Sequence, residues 1–161
     1  MKKLLVLIVM LSFIPMHSQQ NETTVIYLIR HAEKADQNYN TNLSEAGKIR
    51  AQSWATILKS VPFDGFYSTP YNRTQQTIQP TADANKKEIS TYNPKDFSLD
   101  QVIEKHLGKN ILVVGHSNTI PKLINQFLKE DYYVNIDESE FGNLYIITIQ
   151  GKTVSHQLLQ L

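Results

Sequence analysis

Four side chains in the sequence have the chemistry needed to handle a phosphoryl group. Arg30 and His31 are adjacent, Arg73 lies in a polar segment, and His116 follows an apolar run. An arginine guanidinium binds phosphate oxygens through two parallel N–H groups and keeps its charge. A neutral imidazole can attack phosphorus, and a second histidine can donate a hydrogen bond to the charge that develops. This set of residues predicts a phosphate site that works without a metal or another cofactor.

These side chains can act together only if the fold brings them to one place. The apolar runs TTVIYLIR, FDGFYST and NILVVG each predict a short buried strand, and candidate residues lie at or beyond the end of each run. Segments with helical spacing separate the strands, which favours a largely parallel sheet with helices on both faces. Ligands bind beyond the C-terminal strand tips of such sheets, so we expect the site at that edge.

The remaining segments predict four helices and three more strands. We expect Ser44 to cap the first helix, the second to be interrupted or kinked at Pro80, the third to end at Gly108 and the fourth to begin near Pro121. KEISTY predicts a strand, and NLYIITIQGKTVSHQLLQL predicts two strands joined by a turn. The expected apolar stripe of the first helix consists of Ala46, Ile49, Ser53, Trp54, Ile57 and Leu58.

Together these elements predict a single domain, a three-layer α/β/α sandwich with a mostly parallel central sheet. A chain of 161 residues is long enough for one such domain with its own core and short for two. Its start has the layout of a secretory signal peptide: two lysines precede an apolar run shorter than the roughly 18 to 20 residues that span a bilayer. A short membrane anchor or a buried strand is the alternative. We expect residues 1–18 to be removed and residues 19–161 to be periplasmic or secreted.

The composition excludes several classes of function. The chain has no cysteine, which excludes disulfides, zinc-thiolate sites and a cysteine nucleophile. Lys and Arg number 16 and Asp and Glu 15, and no long basic run occurs, so we expect neither nucleic acid nor, after signal removal, a membrane as partner. The expected partner is a small phosphorylated substrate or a phosphoprotein. No pattern in the sequence specifies an oligomeric state.

Four motifs, in order, resemble those of the histidine phosphatase superfamily, the phosphoglycerate mutase-like group. The matching residues are Arg30, His31 and Ala32 followed by Glu33; Leu43, Ser44 and Gly47; Ser68, Arg73 and Thr77; and Gly115 and His116. The resemblance implies that His31 is phosphorylated and then hydrolysed, with Arg30, Arg73 and His116 forming the rest of the phosphate pocket. It implies a metal-independent phosphatase for phosphomonoesters or phosphohistidine, in preference to a mutase.

The resemblance leaves the proton donor to the leaving group open. Many members of the family place a glutamate between the second arginine and the second histidine, but no carboxylate in that interval lies in a recognisable motif here. Asp96, in the loop NPKDFS, is the best placed. Some small members that act on phosphohistidine manage without such an acid, since that leaving group differs from an alkoxide. The absence of an acid would narrow the range of substrates.

Two other functions are alternatives to a phosphatase. The segment VVGHSNTIP resembles the G-x-S-x-G motif of serine hydrolases, and Asp131 or Asp137 and then His156 follow Ser117 in the order that such enzymes use. Thr119 replaces the second glycine, however, and its side chain disfavours the tight turn that this motif needs. The second alternative is a phosphate-binding module that has the same pocket without turnover.

Overall fold

The order of the elements along the chain follows the predicted alternation of strands and helices. The computed structural model describes residues 22–161, so the expected signal peptide lies outside the described residues. No helix in this range is both long and apolar enough to cross a membrane. The elements are β1 (Thr23–Arg30), α1 (Glu45–Ile57), β2 (Phe63–Ser68), α2 (Asn72–Asn85), β3 (Ile89–Thr91), α3 (Leu99–Lys105), β4 (Asn110–Gly115), α4 (Thr119–Leu128), β5 (Asn143–Gln150) and β6 (Thr153–Gln160).

The six strands form one sheet in the order β3-β2-β4-β1-β5-β6. The pairs β2·β3, β2·β4 and β1·β4 are parallel, whereas β5 and β6 are antiparallel to their neighbours. Because helices connect the parallel strands, the C-terminal tips of β1, β2 and β4 lie side by side at one edge of the sheet. In this register Arg30 is opposite Gly115, and Ser68 is opposite Val114.

Two hydrophobic layers hold the helices against the sheet. On one face Ile111 and Val113 of β4 pack with residues of α3 and α4, including Leu99 and Ile120. On the other face Leu112 and Val114 pack with residues of α1 and α2, including Trp54 and Ile78. The alternation along β4 follows from the period of two in a strand, and both sets of side chains are buried because helices cover both faces. The predicted three-layer α/β/α sandwich is confirmed.

The predicted apolar stripe of α1 is largely wrong. Ser44 caps the helix as expected, accepting a hydrogen bond from the N–H of Gly47 at 3.1 Å. Trp54 is buried, but Ile49 and Ile57 are 69% and 51% exposed. The face that packs inward combines the small residues Gly47 and Ala51 with Trp54 and Leu58. Small residues allow the helix to approach its neighbours closely. A search for large apolar residues at helical spacing does not identify a buried face that contains such small residues.

Pro121 lies where the fourth helix was expected to begin, whereas Pro80 does not interrupt the second helix. Pro80 lies inside α2, which continues to Asn85 without interruption. Pro121 occupies the first turn of α4, which begins two residues earlier at Thr119. A proline in the first turn costs little, because the N–H that it lacks has no partner within the helix.

Replacement of Gly47 by alanine is expected to destabilise the fold. A Cβ at this position would overlap the backbone carbonyl of Glu33, two residues beyond His31, and neither backbone can move freely. Such overpacking should lower the free energy of unfolding by about 1–3 kcal/mol, measured by urea denaturation. The control is Ser53→Ala on the exposed side of the same helix, for which we expect a change below about 0.5 kcal/mol. Equal stability of the two variants would contradict the close approach.

Candidate active site

The two candidate histidines meet where β1 and β4 end. His31 follows β1 and His116 follows β4, and the N–H of His31 donates to the carbonyl of Gly115 at 2.9 Å. Their ring centroids are 5.4 Å apart with an interplanar angle of 66°. The register of two parallel strands therefore places both imidazoles at one point, as expected from the sequence.

The environment of His31 determines which of its nitrogens can react. Its Nδ1 lies 2.8 Å from the carbonyl oxygen of Ala32, and a carbonyl can only accept, so Nδ1 carries the proton of the neutral ring. The lone pair is then on Nε2. Burial lowers the pKa of His31 to about 4, and the positive charges of Arg30 and Arg73 act in the same direction. At neutral pH His31 is therefore an uncharged base with a nucleophilic Nε2.

His116 is held as the opposite tautomer. Its Nδ1 is 3.5 Å from Nη2 of Arg73, which can only donate, and its Nε2 is 3.1 Å from Oγ1 of Thr69. The proton of the neutral ring is therefore on Nε2, directed at Thr69. Burial is again the largest cause of the low pKa of His116, about 3, followed by the charge of Arg73. His116 is thus a neutral ring beside His31, with its N–H bound to Thr69.

Arg30 is a buried cation held by the segment before β5. It is 1% exposed, and its Nη1 donates to the backbone carbonyls of Asp137 and Glu140 at 2.7 and 3.0 Å. Its Nη2 donates to the Glu138 carboxylate at 2.6 Å, and its Cζ lies 4.3 Å from the ring centre of Phe141. The Nε–H is buried without a partner. Because an unpaired buried donor is unfavourable, this group is available to an oxygen of a bound phosphoryl group.

Glu138 connects Arg30 to the segment that follows His116. One carboxylate oxygen accepts from Arg30, and the other accepts from Oγ of Ser117 at 2.6 Å. These contacts lower the pKa of Glu138, with the hydrogen bond from Ser117 as the largest cause, so the carboxylate is charged at neutral pH. Ser117 is therefore bonded to a carboxylate and not to a histidine, so the serine–histidine pair of a serine hydrolase is not formed.

Arg73 lies at the start of α2 and is positioned by two tyrosines. Its Nη1 donates to the carbonyl of Tyr39 at 2.8 Å, and its Cζ is 4.5 Å from the ring centre of Tyr71. The ring of Tyr71 also lies 5.3 Å from that of His116. No carboxylate within residues 22–161 forms an ion pair with Arg73. Its charge is therefore available to an anion at the site.

The hydroxyl of Thr77 bonds the backbone of both Arg73 and Ala32, and the spacing of four residues between Arg73 and Thr77 makes this possible. Its Oγ1 donates to the carbonyl of Arg73 at 2.7 Å and accepts from the N–H of Ala32 at 2.9 Å. One buried hydroxyl thus links the first turns of α2 to the residue after His31. The predicted element that runs from Ser68 through Arg73 to Thr77 has a physical basis in this link.

The other candidate residues are hydrogen-bonded to side chains outside the group of Arg30, His31, Arg73 and His116. The side chain of Asp96 accepts from Nδ2 of Asn93, a local contact within its own loop. His156, the proposed partner of Ser117, is bonded through Nδ1 to the hydroxyl of Tyr133. Within the described part of the chain, no three histidine or acidic side chains are grouped to hold a metal ion. The charge near the two catalytic candidates is supplied by arginine.

Two residues that contact the candidate site, Thr69 and Glu138, were not predicted from the sequence. Thr69 follows β2 and could have been noted, since the neighbouring strand tips carry the other candidates. Glu138 lies in a segment without helical or strand periodicity, 108 positions from Arg30, and no local signal identifies it.

Comparison with known proteins identifies a matching family model and solved structures with a similar fold. The family model of the histidine phosphatase superfamily (branch 1) matches residues 26–93. No curated protein sequence matches the chain significantly. One similar solved structure is the alpha-ribazole phosphatase from Shigella flexneri, with 17% identity over 85% of this chain and 96% of that chain and a TM-score of 0.69.

Two further solved structures share the fold. A phosphoserine phosphatase variant from Entamoeba histolytica in complex with phosphoserine has 16% identity over 83% of this chain and 95% of that chain, with a TM-score of 0.65. The protein histidine phosphatase SixA complexed with tungstate has 13% identity over 84% and 96%, with a TM-score of 0.67. The family model covers Arg30, His31 and Arg73, and the fold agrees with it over the rest of the chain. Residues 26–93 therefore resemble the histidine phosphatase superfamily in sequence, and most of the chain shares the fold of these solved phosphatase structures.

Proposed function

We propose that the protein is a phosphatase that transfers a phosphoryl group to Nε2 of His31 and then hydrolyses the phosphohistidine. The observation that carries this proposal is the state of His31, a buried neutral imidazole whose Nδ1–H is bound by the Ala32 carbonyl. That hydrogen bond leaves the lone pair on Nε2 and also stabilises the positive charge that the ring acquires when the N–P bond forms.

The surrounding donors account for the charge that develops on phosphorus oxygens. As Nε2 of His31 attacks, the bond between phosphorus and the leaving oxygen or nitrogen breaks, the leaving group takes a proton from the solvent, and negative charge accumulates on the three equatorial oxygens. The free Nε–H of Arg30 and the guanidinium of Arg73 stabilise it, and the Nε2–H of His116 does so when it exchanges its hydrogen bond with Thr69 for one to a phosphoryl oxygen. A water molecule then attacks the phosphohistidine, releasing inorganic phosphate and returning His31 to its neutral form. No step in this scheme requires a metal.

The substrate in this proposal is a phosphomonoester or a phosphohistidine, carried by a small molecule or a protein. The solved structures with the same fold include phosphatases named for alpha-ribazole, phosphoserine and protein histidine, which cover these classes. The contacts of Asp96 do not support it as a proton donor, because its hydrogen bond is with Asn93 in the same loop. A phosphate-binding module without turnover is the second candidate, since binding needs the same arginines.

Trapping the covalent intermediate is the direct test. Brief exposure to ³²P-labelled substrate followed by denaturation should leave phosphate on His31 in a linkage that is labile to acid and survives base. His31→Ala should lose both label and turnover, because no other nucleophile with a free lone pair lies beside the two arginines.

Ser117→Ala separates the alternatives in the same experiment. We expect this variant to retain the label, since the hydroxyl of Ser117 is bonded to the Glu138 carboxylate and not to a histidine. A base-labile label that disappears in Ser117→Ala and persists in His31→Ala would favour the serine hydrolase. Phosphate binding with no label in the wild-type protein would favour the binding module.

The two histidine rings should take up protons only at unusually low pH. NMR titration of the ring protons should give His31 a midpoint of about 4 and His116 about 3, instead of the ordinary value near 6.5. Because both folded values lie below the unfolded value, the unfolded chain binds more protons as pH falls below about 6.5, and the free energy of unfolding should decrease from there toward pH 4. Midpoints near 6.5 would show that both rings are hydrated and would remove the basis for a neutral nucleophile.

We also propose that residues 1–18 act as a signal peptide and that the domain of residues 19–161 works in the periplasm or outside the cell. The support is the order of two lysines, an apolar run and a polar segment at the start of the sequence. N-terminal sequencing of the protein from extracytoplasmic fractions should begin near Gln19. Soluble cytoplasmic protein that still begins at Met1 would contradict the proposal.

A further inference from the structure

A cleft of about 520 Å³ lies beside the phosphate site and is not used by the chemistry described above. Tyr71 belongs to both, since it lines the cleft while its ring contacts Arg73 and lies 5.3 Å from the ring of His116. Asn118 and Thr119 also line it, and Thr119 accepts a hydrogen bond from the backbone N–H of His116 at 2.9 Å. The cleft therefore adjoins His116 through Tyr71 and Thr119.

One wall of the cleft is apolar and well ordered by packing. Tyr92 and Phe97 are stacked with ring centroids 4.0 Å apart and an interplanar angle of 21°, and Leu123 of α4 completes the surface. The hydroxyl of Tyr92 donates to the Val114 carbonyl at 3.2 Å, which fixes this wall to β4. A small organic body could pack here without desolvating charged groups.

The charged residues that line the cleft are all positive. Lys95, from the loop after β3, and Lys122, from α4, both line it and are exposed. Its lining includes no aspartate or glutamate, and the remaining polar side chains include the neutral amides Asn93 and Gln126. Neither lysine forms an ion pair with a carboxylate in the described part of the chain. Two cations on separate elements thus face a common space with no resident anion to neutralise them.

We propose that this cleft binds the leaving group of the substrate, and that this group carries a second anion, a carboxylate or a further phosphate, on a small apolar or planar body. The proposal rests on the phosphatase function inferred above. The volume is within the range of pockets that bind small molecules, and the two lysines complement a negative charge placed away from the phosphoryl group. A neutral leaving group would gain only the apolar contacts.

The test compares two synthetic substrates that differ in this charge alone. They are 4-(carboxymethyl)phenyl phosphate and the corresponding primary amide, whose phenol leaving groups have nearly the same acidity. We expect kcat/KM to be about fivefold higher for the carboxylate, mainly through KM, because exposed ion pairs contribute modestly and act equally on bound substrate and transition state. The double variant Lys95→Gln/Lys122→Gln should lose this preference.

The matched control is Lys59→Gln, which removes an exposed lysine after α1, on the other face of the sheet, and should keep the preference. Calorimetric binding of both compounds to His31→Ala gives the same comparison without turnover. A carboxylate preference in binding with no hydrolysis by the wild-type protein would overturn the phosphatase proposal alone. Equal kcat/KM and equal affinity for the two compounds, or a preference that survives in the double variant, would overturn the assignment of the cleft.

Discussion

The parallel pairing of β1 with β4 is the constraint on which the site depends. Their register places Arg30 opposite Gly115, and the hydrogen bond from the N–H of His31 to the Gly115 carbonyl extends the pairing by one residue. Both strands end at the same position in the sheet, so the two imidazoles that follow them lie next to each other with no long loop between strand and histidine. Since β2 pairs with β4 on its other side, Thr69 reaches the same edge and binds His116. Each hydrophobic layer that fixes this sheet therefore also fixes the distance between the histidines.

The same burial that stabilises the fold makes the histidines chemically useful. An imidazole in water has a pKa near 6.5 and is partly cationic in mild acid, and the cation has no lone pair with which to attack phosphorus. Removal from water disfavours the charged form of His31, and the two arginines act in the same direction. The Ala32 carbonyl opposes this shift, but it also fixes the tautomer and leaves Nε2 free. Charge, burial and one backbone contact together keep His31, the proposed nucleophile, neutral.

The buried charge of Arg30 determines how the segment before β5 is folded. An unpaired ion in the interior costs several kcal/mol, and here two backbone carbonyls and the Glu138 carboxylate offset that cost. Glu138 is 75% exposed and also accepts from Ser117, so the segment covers the arginine while remaining at the surface. Phe141 stacks on the guanidinium from the same segment. The arginine is held in one orientation, with its Nε–H left for a phosphoryl oxygen.

The local pattern of the sequence was sufficient to predict the strands at residues 23–30 and 110–115 and the sandwich, and to place Arg30, His31 and His116 at strand ends, because continuous apolar runs and their polar ends are properties of neighbouring residues. It misassigned the inner face of α1, where Ile49 is exposed and Gly47 is buried against a backbone carbonyl, because the choice of face depends on which surface the helix meets. The bond of Glu138 to Arg30, the low pKa values of the histidines and the cleft beside them were decided only by the tertiary structure. Each of these features depends on groups that are distant in the chain and on the exclusion of water. The proximity of such groups and the exclusion of water arise only when the chain has folded.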